Sequence, residues 1–304
     1  MQVFPNGRGV GVTEAIHGLA GWPALLLFGL VTQLGDGWFL FALGGALLVA
    51  GGAFPLVGID RRRALFVVGL VLTYVAAIGA LKGFFGLGRP PGATRAPALD
   101  WAPRALAVAV ESATTAEGPG FPSGHALGTT MVWGGLALVV DRGTARRRFG
   151  VAAGVVALVS LSRLVLGVHY LVDVVVGVAV GTVLLGALYR VADGGTVPSR
   201  VLGVAAAIGL VGLAVGVTFD SVAALGGAVG GWAVWRAVAD ATPAHPTNRT
   251  AIGVGIGVLA VAGVLFAVLE AVEPALPVAF AGAAAAVGGA VGAPSIGERL
   301  AHTA

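Results

Sequence analysis

The chain has 304 residues, of which 57% are hydrophobic and only 11% charged, and its mean hydropathy is +0.96. A soluble domain carries about 25% charged residues, so a water-soluble fold of this length is excluded for want of surface. The formal net charge is +4 and cysteine is absent, which removes disulfides, thiolate nucleophiles and Cys-based metal sites.

Taken in chain order, the first feature is negative. Arg8 is followed by glycine-rich sequence and Glu14 with no small-residue cleavage pattern, so no cleaved signal peptide is expected. Apolar runs of membrane-crossing length then predict spans at 15–33, 37–55 and 64–82. His17, Pro23 and Gln33 interrupt the first, which could instead lie in the interface. The third ends at Lys82, the only lysine among 18 Lys+Arg, and the chain continues to Arg89-Pro90. A chain that uses arginine everywhere else has a specific use for lysine here. Taken alone, Lys82 and Arg89 are two cations snorkelling at a helix end.

The loop at 83–121 contains Asp100-Trp101-Ala102-Pro103 and then an amphipathic stretch from Arg104 to Ala113. Asp100 reads as a helix start and Trp101 as an interfacial anchor. The expectation is a short surface helix that is structural or lines a substrate entrance. Pro122-Ser123-Gly124-His125 opens a fourth span, 122–140. Ser123 suits an N-cap, and the unpaired N–H groups of that helix start form an anion site. Gly124 would let a phosphate approach the backbone, and His125 can give a proton to a leaving group.

Spans at 149–168 and 170–190 meet at Ser162-Arg163 and His169. Asp173 follows His169 by four residues, so the two share a helical face. A carboxylate at one imidazole nitrogen fixes the tautomer and frees the other to attack or to accept a proton. Arg163, expensive near a membrane span, must face a cavity or a partner. Lys82, Arg89 and Arg163 are three cations able to surround one phosphoryl group without a metal. The 14 Asp+Glu are scattered, with no carboxylate cluster for Mg²⁺ or Zn²⁺, so neither metal nor cofactor is expected.

Four more spans, 201–219, 221–238, 251–270 and 276–293, complete ten. Gly226-x3-Gly230 and Gly227-x3-Gly231 are close-packing features. His245 and His302 read as surface residues. This extension has no catalytic constellation, and packing, dimerisation and a share in a lipid channel all stay open. The pI near 10.3 reflects arginines in short loops, which points to topology and not to nucleic acid. With a cytoplasmic N-terminus, Arg8, Arg61–Arg63, Arg142, Arg146–Arg148, Arg190, Arg200, Arg236, Arg249 and Arg299 lie inside. Lys82, Arg89, Arg95, Arg104 and Arg163 lie outside, with all the motifs.

K-x6-R-P, P-S-G-H and S-R-x5-H-x3-D, in this order, resemble the three-part motif of the phosphatidic acid phosphatase type 2 superfamily. That group includes lipid phosphatases and is related to vanadium haloperoxidases. The resemblance covers roughly residues 15–190. It implies a six-span helical catalytic core, 1–195, so the chain reads as an all-α, polytopic membrane bundle in which an extension of about four spans, 196–304, lies outside the resemblance. His169 would be the nucleophile that forms a phosphohistidine, Asp173 its orienter and His125 the acid. Lys82, Arg89, Arg163, Ser123 and Gly124 would hold the phosphoryl oxygens. The implied activity is metal-independent hydrolysis of lipid phosphate monoesters or prenyl pyrophosphates at the non-cytoplasmic face of the cell membrane. A lipid phosphotransferase at the same site is the nearest alternative. A haloperoxidase is disfavoured because those relatives are typically soluble. A transporter is disfavoured because the ionisable residues sit at span ends and not at the midplane.

Overall fold

The computed structural model describes residues 8–54, 57–97 and 103–303, and among these the regular structure is helical with no strand. Twelve α-helices follow in order: α1 Val12–Gly18, α2 Trp22–Thr32, α3 Gly37–Ala50, α4 Arg61–Phe85, α5 Arg104–Thr114, α6 Gly124–Val139, α7 Ala145–Val165, α8 Leu171–Val191, α9 Pro198–Val215, α10 Phe219–Val238, α11 Arg249–Val272 and α12 Leu276–Thr303.

Short polar side chains start these helices by accepting otherwise orphaned N–H groups. Asp60 takes Arg63 N at 3.0 Å for α4, Ser123 takes Ala126 N at 3.4 Å for α6, and Asn248 takes Ala251 N at 2.7 Å for α11. α4 stops where Gly86 turns left-handed (φ 59°) and its N–H closes on Lys82 O at 2.9 Å. That stop puts Lys82 in the last turn, with its side chain at the end of the bundle.

α4 is the mast of the molecule. Phe66, Val67, Leu70 and Val71 on it are fully buried. One apolar cluster joins them to Leu127 and Met131 of α6, Val201 and Leu202 of α9, and Val287 and Val291 of α12. The outer helices do the opposite: on α11, Val261, Val264 and Val268 are 71%, 64% and 51% exposed. Such a stripe is unfavourable in water and natural against acyl chains.

Seven of the described helices are long and apolar enough to cross a membrane: α4 and α7 to α12. The predicted spans at 37–55 and 122–140 become the shorter α3 and α6. α12 runs on to Thr303, ten residues past the predicted end, and in this added length Glu298 pairs with Arg61 at 2.8 Å. The predicted surface helix is α5, whereas Asp100 and Trp101 lie outside the described residues. Both glycine pairs serve close packing. A Cβ on Gly226 or Gly230 would strike the carbonyl oxygen of Phe280 or Ala284 on α12, and Gly227 and Gly231 meet Val287.

The two ends of the bundle differ. At one, Arg63 pairs with Asp141 at 2.6 Å and Arg61 donates to Pro243 O and pairs with Glu298. At the other lie Lys82, Gly124, Arg163 and His169. The first predicted span needs correction. Residues 12–35 form two helical pieces bent by 119°, and both flanks return to the end that holds the motifs. Arg8 reaches Asp173 there and Asp36 reaches His125. α3 then runs to the arginine end, where Gly52 meets His245. Arg8 therefore lies at the motif end of the bundle and not with the arginines of the opposite end, where charge counting had placed it.

Candidate active site

A cavity of about 250 Å³ opens where these elements meet. Among its lining residues are Asp36, Tyr74, Lys82, Arg89, Gly124, His125, Arg163 and His169, and α5 contributes Ser112 and Ala113. Three sequence segments separated by up to 87 positions thus meet at one place. The reason is topological: α4 and α7 end here, whereas α6 and α8 begin here.

His169 is buried in the turn between α7 and α8. Arg89 donates from Nη1 to its Nε2 at 3.1 Å and to Val168 O at 3.0 Å. A guanidinium is a donor only, so Nε2 carries the lone pair and Nδ1 the proton. Nδ1 faces Asp173 Oδ2 at 3.5 Å, the pairing expected from the i,i+4 spacing. Burial first, then the Arg163, Arg89 and Lys82 cations, push the His169 pKa well below the ordinary histidine value. The ring is a neutral, oriented nitrogen base in a cationic cavity.

Asp173 is fixed from three sides. Its Oδ2 accepts Tyr170 N at 3.0 Å, its carbonyl accepts Ser123 N at 2.9 Å, and its Oδ1 pairs with Arg8. Arg8 also donates from Nη2 to Gly88 O at 2.5 Å and lies between the Phe121 and Tyr170 rings. The N-terminal segment buttresses the same turn elsewhere: Thr13 Oγ1 donates to His169 O at 3.1 Å, and His17 Nδ1 lies 2.8 Å from Val165 O.

Each phosphate-binding candidate has its own setting. Arg163 is buried and donates to Thr32 Oγ1 at 2.5 Å, and its Nε has no hydrogen-bond partner among the described residues. Arg89 Nε donates to Glu117 O and Gly118 O, and burial lowers its pKa. Lys82 makes neither hydrogen bond nor ion pair with the described residues, so its ammonium is left for the cavity. Gly124 lines the cavity at the first turn of α6. Ser123 is fully buried behind it and caps α6. Among the described residues no three His, Asp or Glu side chains come together as a metal-ligand set.

Sequence reasoning missed Arg8, Thr32 and Asp36. For Asp36 a signal existed, because an acidic residue between Gly35 and Gly37 in apolar sequence is an N-cap pattern. For Arg8 there was none, since charge counting treats every loop arginine alike.

Fold and site together define a polytopic helical membrane protein with a cationic, two-histidine cavity suited to a phosphoryl group. Residues 63–195, which contain all three motifs, match the model of the PAP2 superfamily. That match points to phosphatase or phosphotransferase chemistry on phosphate esters. No curated protein and no solved structure matches the chain.

Proposed function

We propose that the protein is a metal-independent lipid phosphatase of the cell membrane that acts through a phosphohistidine on His169. The observation that carries this reading is the lone pair of His169 Nε2, presented beside Arg89 in a cavity that Lys82 and Arg163 also line. When Arg89 turns its Nη1 donor from Nε2 to a phosphoryl oxygen, Nε2 attacks phosphorus, while Asp173, held by Arg8, keeps the proton on Nδ1. Lys82, Arg89 and Arg163 neutralise the equatorial oxygens, where charge is largest in the transition state. N–H groups of the first turn of α6, set by the Ser123 cap and left open by Gly124, assist them. His125 protonates the leaving oxygen and later takes a proton from the water that cleaves the N–P bond.

Exposed apolar side chains at the end of α4 beside the cavity, Phe84 and Phe85, support a substrate that arrives from the bilayer: a lipid phosphate monoester or a prenyl pyrophosphate. The arginine-rich opposite end supports a site on the non-cytoplasmic side. Residues 1–195 are the proposed catalytic core, since the cavity lining runs from Thr32 to His169. Residues 196–304 support α4 from the side.

The test is phosphate release from a panel of lipid phosphates by purified protein in detergent, with radiolabelled phosphate trapped on the chain. Wild type should release phosphate in excess chelator and be inhibited by vanadate. His169→Ala should lose both turnover and trapped label. Near-normal turnover in that variant would overturn the mechanism.

A further inference from the structure

The established motif supplies one carboxylate, Asp173, for one histidine, His169. The structure holds a second such pair. Asp36 stands between α2 and α3, outside the family-matching stretch, with Oδ2 at 3.6 Å from His125 Nε2. Both residues line the cavity, and His125 Nε2 is buried without a hydrogen-bond partner among the described residues.

The cap does not require this residue. Asp36 accepts Trp38 N at 3.3 Å through Oδ1, and Asn or Ser caps a helix about as well as Asp. A carboxylate in an anion-binding cavity is also costly, because it repels the phosphoryl group. Its placement is selective. The cavity groups around His125 are Tyr74 and Lys82 on α4, Arg89 after it, Arg163 on α7 and His169 before α8. Asp36 is the one acidic residue among them. Without it, an imidazolium at position 125 would face only neutral and cationic groups. Burial and the His125 contacts act oppositely on Asp36 itself, and its pKa ends lowered, so the carboxylate is ionised.

We propose that Asp36 is the positioning residue of the acid: its carboxylate orients His125 and stabilises the protonated form that delivers a proton to the leaving oxygen. This rests on the phosphatase reading above. When the P–O bond breaks and the Nε2–P bond forms on His169, the His125 proton moves to the departing alkoxide. When water attacks the phosphohistidine, its proton returns to His125, and the Asp36–imidazolium pair is restored. Two carboxylate–histidine pairs then divide the work, Asp173–His169 for the nucleophile and Asp36–His125 for the acid.

The test compares two soluble probes, an aryl phosphate with a good leaving group and an alkyl phosphate with a poor one. General-acid help contributes on the order of 10²–10⁴-fold and matters most for poor leaving groups. Asp36→Asn and Asp36→Ser, which both keep the cap, should slow the alkyl ester by roughly 10- to 100-fold and the aryl ester only a few fold. The alkaline limb of the alkyl profile should move to lower pH, since an imidazolium without its counter-charge loses its proton sooner. In a His125→Ala background, Asp36→Asn should cost nothing further. Equal slowing of both esters with an unmoved limb would make Asp36 a structural cap only. An additive loss in the His125→Ala background would also overturn the proposal. If wild type hydrolyses neither probe, the phosphatase reading falls with it.

Discussion

A point-charge ammonium and a planar guanidinium fill space differently, and Lys82 stands where that difference counts. It ends α4 against a small cavity shared with Arg89 and Arg163, which already supply two forks. A third guanidinium would crowd the same oxygens. Lys82→Arg should lower kcat/KM by about 10-fold or more, equivalent to about 1.4 kcal/mol of transition-state stabilisation, with helix content and yield unchanged. Wild-type kinetics would make the lone lysine incidental. The acid limb gives a second residue-scale prediction. A histidine whose pKa is lowered stays neutral as pH falls, so activity should persist below about pH 6.5, the ordinary histidine value. Arg89→Gln removes one of the cations responsible and should move the limb upward in pH. A limb at the ordinary value in wild type, unmoved by the substitution, would contradict the buried, cation-flanked His169.

At the scale of elements, glycine decides how close two helices can come. Gly230 on α10 faces the backbone of Ala284 on α12 with no room for a Cβ, whereas Gly253 on α11 has nothing within 4 Å of that position. Gly230→Ala should destabilise the protein by roughly 1–3 kcal/mol through overpacking. Gly253→Ala should be neutral or stabilising by up to about 1 kcal/mol through helix propensity. Thermal unfolding in detergent distinguishes them, and equal melting temperatures would refute the close α10–α12 contact. The glycine repeats on α10 were visible as spacing. Their partner helix was not, because small-residue spacing says that something approaches and not what. The bend between α1 and α2 was equally hidden. His17, Pro23 and Gln33 marked a weak span, but hydropathy averages over a window and cannot distinguish a crossing from a return.

For the whole molecule, the side on which Arg8 lies is the sharpest consequence of the structure. The absence of cysteine makes single-cysteine labelling clean. Val10→Cys and Glu117→Cys, both exposed at the cavity end, should react with an impermeant reagent from the same side of the membrane. Arg142→Cys, exposed at the arginine end, should react from the other. If Val10→Cys labels together with Arg142→Cys, residues 8–36 cross the membrane and the placement of Arg8 at Asp173 is wrong. The proposed division at residue 195 is one of chemistry, since the apolar cluster around α4 continues without interruption into α9 and α12.

The sequence by itself determined the apolar, membrane-type character of the chain, most helices and the motif residues between 82 and 173 that the fold brings together. Those properties are local: apolar run length, cap residues, and i,i+4 spacing such as His169 to Asp173. Only the tertiary structure decided that Arg8 anchors Asp173 across 165 positions, that Thr32 meets Arg163 across 131, and that Asp36 faces His125. These contacts depend on where a bent N-terminal segment folds back. That choice is made by the fit of α1 and α2 against the α7–α8 turn, through residues such as Leu25, Phe28, Leu166 and Val168. Packing of that kind leaves no periodicity in the chain to read.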